Sequence, residues 1–299
     1  MYAWGDDMSD WARPSAYNFK GGRKAKSARK KAAKASAQRG GRRYLNRASP
    51  DLDLASPFGK TISTESKNPI VVAVDVTGSM SSWPGEIFDR LPLLYQTLSQ
   101  YRDDLEISFV AIGDATCDSY PLQVTDFAAG IGLEDQLNAL YGEGGGGGGA
   151  RESYELFAYY LLTRARAPNA SKPFLILYGD EGFYEEVEAA QIRYYLGGKE
   201  RRNRDSYEVW GALSEAWNVF HLRKRYPGRD AQIRGQWEEA IGAERVLELP
   251  AAERAVDMAL GLIARSWGHY EDFEDNMRAR QPERLVRELR ERLEAEGAA

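Results

Sequence analysis

Residues 70–80 read Ile-Val-Val-Ala-Val-Asp-Val-Thr-Gly-Ser-Met, and this stretch constrains the fold more than any other. Ile70 to Val74 form an unbroken apolar run in which four residues are β-branched. Such a run suits a strand covered on both faces, and so a sheet lying between two layers of helices. It stops at Asp75, Thr77 and Ser79, one carboxylate and two hydroxyls at alternate positions, with Gly78 between the last two. Spaced this way in a tight turn, they can face a single point. A hard-oxygen cluster of low total charge suits Mg²⁺, which takes few protein ligands and keeps several waters. The plainer alternative is a strand-to-helix turn in which Asp and Ser serve only as caps.

Strand and helix patterns alternate along the rest of the chain. Pro84 suits a first helical turn, and Ile87, Leu91, Leu94 and Leu98 then form a core-facing stripe with a break expected near Pro92. Leu105–Ile112 reads as a second strand. Tyr120–Phe127 reads as a third, antiparallel at the edge because the connection is short. Leu133–Tyr141 reads as a short helix. Six consecutive glycines, Gly144 to Gly149, follow. A glycine run serves where backbone must approach something closely or take positive φ, and a flexible hinge is its plainer reading. It leads into Arg151-Glu152-Ser153 and a helix through Leu162.

Phe174–Tyr178 is another apolar run, and it ends at Gly179-Asp180. A parallel neighbour of the first strand would bring Asp180 beside Asp75, because ligands in open α/β sheets gather at the carboxyl ends of the strands. Helices are expected over Glu185–Leu196, Tyr207–Trp217 and Ala231–Ile241, with strands at Val219–Leu222 and Arg245–Leu249. A last domain helix carries Val256, Leu260, Ile263 and Trp267. The alternation predicts an α/β fold, doubly wound, with a mostly parallel sheet and helices on both faces. Residues 1–66 read as a basic, largely disordered arm, 67–268 as the domain, and 269–299 as an amphipathic helical tail with Leu285, Leu289 and Leu293 four apart.

Charge and composition narrow the function. Forty Lys and Arg oppose forty-five Asp and Glu, yet between Lys20 and Arg47 there are twelve bases and no acid. This arm, with Lys24, Lys26, Arg29, Lys30, Lys31 and Lys34 at its centre, suits nucleic acid or an acidic partner, or docks on its own acidic domain. Trp4 and Trp11 suggest that the first dozen residues dock somewhere. The single cysteine, Cys117, excludes an intrachain disulfide and a cysteine zinc site. Neither of the two histidines sits in a hydrolase motif, and His221 reads as a core or sheet-edge residue. Phe58-Gly59-Lys60-Thr61 lacks the upstream glycine of a phosphate loop. The absence of a long apolar stretch, and of a basic-then-apolar start, leads us to expect a cytoplasmic protein with no membrane span.

The Asp75-x-Thr77-x-Ser79 turn, the following helix and hairpin, the glycine-rich second loop and the strand ending at Asp180 together resemble a von Willebrand factor type A (vWA) domain over about residues 67–268. The resemblance implies a three-layer, Rossmann-like fold with a six-stranded, mostly parallel sheet and one antiparallel edge strand. In that family the first-loop residues, matching Asp75, Thr77 and Ser79, bind a magnesium ion directly or through water, and the third-loop aspartate matches Asp180. Manganese is the alternative ion. Most members place a threonine after the glycines, which this chain lacks. Gly147 to Glu152 is closest to a Gly-Gly-Gly-Asp-x-Pro-Glu form, so that Glu152 matches the glutamate. The resemblance implies a non-enzymatic interaction module in which a partner's Asp or Glu completes the metal shell. Trp83, Phe183 and Tyr184 are the expected aromatic anchors on its rim. Bacterial cytoplasmic members often work beside MoxR-type AAA+ ATPases, a partner implied by resemblance alone. The rivals are a nucleic-acid-associated protein acting through the arm and, more remotely, a metal-dependent hydrolase, for which no nucleophile with an adjacent base is visible.

Overall fold

The computed structural model describes residues 48–80, 82–145 and 149–296. Six strands form its main sheet: β1 (Asn68–Asp75), β2 (Leu105–Ile112), β3 (Leu122–Val124), β4 (Phe174–Gly179), β5 (Asn218–Arg223) and β6 (Val246–Glu248). Their spatial order is β6-β5-β4-β1-β2-β3. Every neighbouring pair is parallel except β2–β3, which makes β3 an antiparallel edge. β1 is therefore central, hydrogen-bonded to β2 on one side and β4 on the other, and the chain changes winding direction there. That crevice is where an open α/β sheet presents its site.

The period-2 alternation of β1 divides the core. Ile70, Val72 and Val74 pack with α1 (Trp83–Phe88), α2 (Leu91–Leu98), α3 (Gly132–Ala139) and α7 (Ala255–Trp267). Val71 and Ala73 pack with α4 (Tyr154–Arg164), α5 (Ser206–Ala216) and α6 (Asp230–Ile241). The break between α1 and α2 falls where it was expected. Pro92 occupies the first turn of α2, where its missing N–H leaves no intrahelical bond unmade.

Three expectations need correction. The arm does not extend to residue 66: the ordered unit already includes the segment from Pro50. Residues Leu52–Ala55 form a helical turn, and Ile62–Ser63 pair with Ala165–Arg166. Lys60 Nζ donates to Leu54 O at 2.6 Å and Val124 O at 3.0 Å, and pairs with Asp126 at 3.2 Å. Ala55 and Ile62 are fully buried. The basic cluster Lys24, Lys26, Arg29, Lys30, Lys31 and Lys34 lies outside the described residues.

The second correction concerns residues 185–196, which are not one helix. Glu186–Val187 pair with Arg204–Asp205, and only Ala189–Leu196 is helical, ending at Gly197 with φ +71°. The third concerns the tail, which is two helices, α8 (Tyr270–Arg280) and α9 (Glu283–Glu296), folded onto α7. A buried knot ties them down. Arg254 Nη1 donates to Asp257 Oδ2 at 2.8 Å and to Gln281 Oε1, and Gln281 Nε2 donates to the same Asp257 oxygen at 3.1 Å. Leu293 is completely buried over Gly261, where a Cβ would meet its Cδ1 at 2.4 Å. Leu293→Ala should therefore lower the unfolding free energy by about 2–3 kcal/mol, read as a lower urea midpoint. Among the described residues no helix is long and apolar enough to cross a membrane.

Candidate metal centre

β1 and β4 run side by side with Val74 opposite Tyr178, so the residues that follow leave the sheet together. Asp75 is the last residue of β1, on the face of Val71 and Ala73. Its Oδ1 accepts from Thr77 N at 2.8 Å and from Thr77 Oγ1 at 2.6 Å. Thr77 Oγ1 and Ser79 Oγ stand 3.1 Å apart, and Ser79 Oγ donates to Asp180 Oδ1 at 2.8 Å. Asp75, Thr77, Ser79 and Asp180 are thus one connected set of oxygens at the carboxyl ends of two adjacent strands.

The glycines explain how the loops reach one another. Gly78 N donates to Gly145 O at 2.6 Å, and Gly144 N donates to Val76 O at 3.1 Å. A Cβ on Gly78 would lie 3.1 Å from the carbonyl oxygens of both Gly144 and Gly145. The start of the glycine run is therefore a backbone clamp on the Asp75–Ser79 turn, a close approach that side chains would block. Gly179 makes a second space: a Cβ there would fall 2.1 Å from the Tyr154 hydroxyl, which donates to Asp75 Oδ2 at 2.5 Å.

Acids crowd this end of the sheet. Asp75, Glu152, Asp180 and Glu181 are all buried. Burial, and then the Asp180 charge, push the Asp75 carboxyl up to about 6. Glu152 and Glu181 are raised as well, by burial first and then by the Asp75 charge. Glu155, fully buried on α4, is raised to about 8 by desolvation. Glu152 joins the group electrostatically, held by pairing of Arg151–Glu152 with Gly182–Phe183, and its buried Oε2 has no hydrogen-bond partner.

Lys224 is a cation in direct contact with this group. Its Nζ donates to Asp180 Oδ2 at 2.8 Å and to Ser79 O. Among the described residues, no three His, Cys, Asp or Glu side chains are gathered to hold a metal. The donor set here is instead two hydroxyls and two carboxylates, the hard-oxygen chemistry that fits Mg²⁺ or Mn²⁺.

The three expected rim aromatics have different fates. Phe183 is not on a rim: it is completely buried, with ring centroids 4.9 Å from Trp237 and 5.3 Å from Tyr207. The chain turns back after Asp180 to pair with Arg151–Glu152, which drives Phe183 into the layer between sheet and helices. Tyr184 is half-buried, and its hydroxyl donates between the two Asp114 oxygens, at 3.2 and 3.1 Å. Trp83 is half-buried against the opposite core layer. His221 is a core residue, tilted at 57° against Trp237 with centroids 4.1 Å apart, and burial pushes its pKa well down.

Lys224, Tyr154, Glu181 and Asp114 are the site residues that the sequence reading missed. Asp114 follows β2 by two residues and Lys224 follows β5 directly, so the carboxyl-end rule that found Asp180 applied to both. A polar cleft of about 530 Å³ has Arg151, Tyr184, Tyr207, Arg229 and Gln236 among its walls, and none of Asp75, Thr77, Ser79 and Asp180 lines it.

No protein-family model matches the sequence, and no curated protein matches it. Solved structures to which it is similar include the pilus adhesin SpaC from Lactobacillus rhamnosus GG. The likeness has 13% identity and a TM-score of 0.44, and covers 70% of this chain and 32% of the adhesin. Its open conformation gives 11% identity and a TM-score of 0.46, over 73% of this chain and 31% of the adhesin. Proximal thread matrix protein 1 from the mussel byssus gives 11% identity and a TM-score of 0.47, over 70% of this chain and 49% of that protein. The chain thus spans about a third of the adhesin's length and half of the matrix protein's.

Proposed function

We propose that this chain is a cation-dependent protein-interaction module of the von Willebrand factor type A kind. Asp75, Thr77, Ser79 and Asp180 would hold a magnesium ion, and an Asp or Glu of a partner protein would complete the site. The observation that supports this most directly is the unbroken run of contacts from Asp75 through Thr77 and Ser79 to Asp180. When bound, the ion would supply an open coordination position and residual positive charge.

The chain's own residues do the rest. Thr77 and Tyr154 fix the two oxygens of Asp75, leaving its carboxylate one orientation. Glu152, its carboxyl pushed up to about 11 by burial and then by the Asp75 charge, is neutral near pH 7 in the cation-free protein and adds no charge of its own there. Lys224 neutralises Asp180 in the cation-free protein and has to yield when a divalent ion arrives, because two cations cannot share one carboxylate edge without repulsion. Trp83 and Tyr184, both part-exposed, stay candidates for contact, and Phe183 does not.

The test is calorimetric. Mg²⁺ and Mn²⁺ titrated into the full chain should give saturable heat, which the Asp75→Ala/Asp180→Ala double variant should lose while remaining folded by circular dichroism. Equal heat from both proteins would sink the assignment.

A further inference from the structure

Four large apolar side chains stand out as exposed among the described residues: Leu52, Phe58, Ile131 and Tyr194. Three of them, all but Ile131, line one groove of about 240 Å³. Its other walls include Pro50, Tyr120 and Tyr195. The groove is firmly built. Tyr195 Oη donates to Ala115 O at 3.1 Å, Glu143 accepts from Ser119 N and Tyr120 N at 2.9 Å each, and Tyr194 and Tyr195 stack edge-on at 4.8 Å. Concentrated apolar exposure of this kind, lined by aromatic rings and prolines, marks a docking surface.

We propose that this groove is the docking site of the aromatic N-terminal stretch of the same chain, residues 2–11, which carries Tyr2, Trp4 and Trp11. The argument is one of connection and chemistry. The described chain starts at Ala48, and Pro50, two residues on, is itself a wall of the groove. The chain between Trp11 and Ala48 can span about 120 Å if extended, far more than it needs to turn back on its own exit point. Tethering of this kind gives an effective concentration of about a millimolar, so a modest contact is enough to keep the groove filled. The two indoles stand in a short acidic, polar stretch with Asp6, Asp7 and Asp10, and each supplies the large flat surface that a ring-lined groove accepts.

The native Cys117 gives the readout. It is exposed and lies on the Ala115–Pro121 loop that forms one wall of the groove. Labelled there with bimane, a dye that tryptophan quenches on contact, the full chain should be at least about two-fold dimmer than its Trp4→Phe/Trp11→Phe variant. Phe58→Ser/Tyr194→Ser, at two exposed positions and checked for an unchanged circular dichroism spectrum, should restore the same brightness with both tryptophans present. Equal brightness of the parent and the tryptophan variant would overturn the proposal, as would a groove variant that stays quenched. Quenching that disappears on dilution, or on mixing with excess unlabelled chain, would assign the occupant to a second copy and equally overturn docking within one chain. None of these outcomes depends on cation binding.

Discussion

Trp237→Ala is expected to lower the unfolding free energy by about 3–5 kcal/mol, a larger loss than that of Leu293→Ala. Trp237 is completely buried on α6, at the meeting point of four rings. Its centroid lies 4.1 Å from His221, 4.9 Å from both Phe183 and Trp210, and 5.4 Å from Tyr154. Truncation removes the partner of every one of these rings at once, and they sit on different elements that cannot all collapse into the gap. A hydrogen bond goes too, because Trp237 Nε1 donates to Glu181 O at 2.9 Å and leaves that buried carbonyl unpaired. A domain of this size is stable by about 5–15 kcal/mol, so the variant should have a much lower urea midpoint. Trp237→Phe keeps most of the ring contacts and loses the hydrogen bond, and should cost about 1–2 kcal/mol less than the alanine. A loss under about 1.5 kcal/mol for Trp237→Ala would mean that the ring cluster is not the packed unit described. The same indole supports the Asp180–Phe183 turn, so this part of the core and the acidic site are mechanically one.

What could be read from the sequence was what is local. The β1 run and the Asp75-x-Thr77-x-Ser79 turn are short-range patterns, and Asp180 followed from a rule about strand ends, so all three could be found without knowing a single long-range contact. The same rule points to the position of Lys224 but not to its partner. A lysine after a strand reads as a solvated side chain, and only the parallel pairing of β5 with β4 brings its Nζ to Asp180. Phe183 was misread for a related reason. The pairing of Gly182–Phe183 with Arg151–Glu152 is two residues long, too short to carry a period, so the direction of the ring was not encoded nearby. The start of the domain shows the same limit. Residues 50–63 are too few to show periodicity, and their anchors are Ala139, Val124 and Ala165, all more than sixty positions away. The glycine run was legible as a close approach, but what it approaches is the backbone of residues 76–78, which only the tertiary structure reveals.

Without divalent cations, Asp75→Asn is expected to be more stable than the parent at pH 8 and no more stable near pH 4. The carboxyl of Asp75, buried and facing Asp180, is pushed up to about 6 from an ordinary 3.8. An acid with a higher pKa in the folded chain holds its proton more tightly there. It therefore supports folding at low pH, and that support is lost as the pH rises from about 4 through about 6. By pH 8 the ionised, crowded carboxylate has removed up to about 3 kcal/mol relative to an unshifted acid. Asparagine keeps the Oδ1 that accepts from Thr77 and carries no charge, and where its Nδ2 replaces Oδ2 the Tyr154 hydroxyl turns from donor to acceptor, so the repulsion is relieved without breaking the turn. Its thermal midpoint should accordingly change less between pH 5 and pH 8 than the parent's. Millimolar Mg²⁺ at pH 8 should then narrow or reverse the gap, because an ion that binds only the folded parent stabilises it by mass action and has lost a ligand in the variant. A variant less stable than the parent at pH 8 in chelator would refute the account of Asp75 as a strained carboxylate. A variant that gains as much from Mg²⁺ as the parent would remove Asp75 from the proposed cation site while leaving its burial and its pH dependence intact.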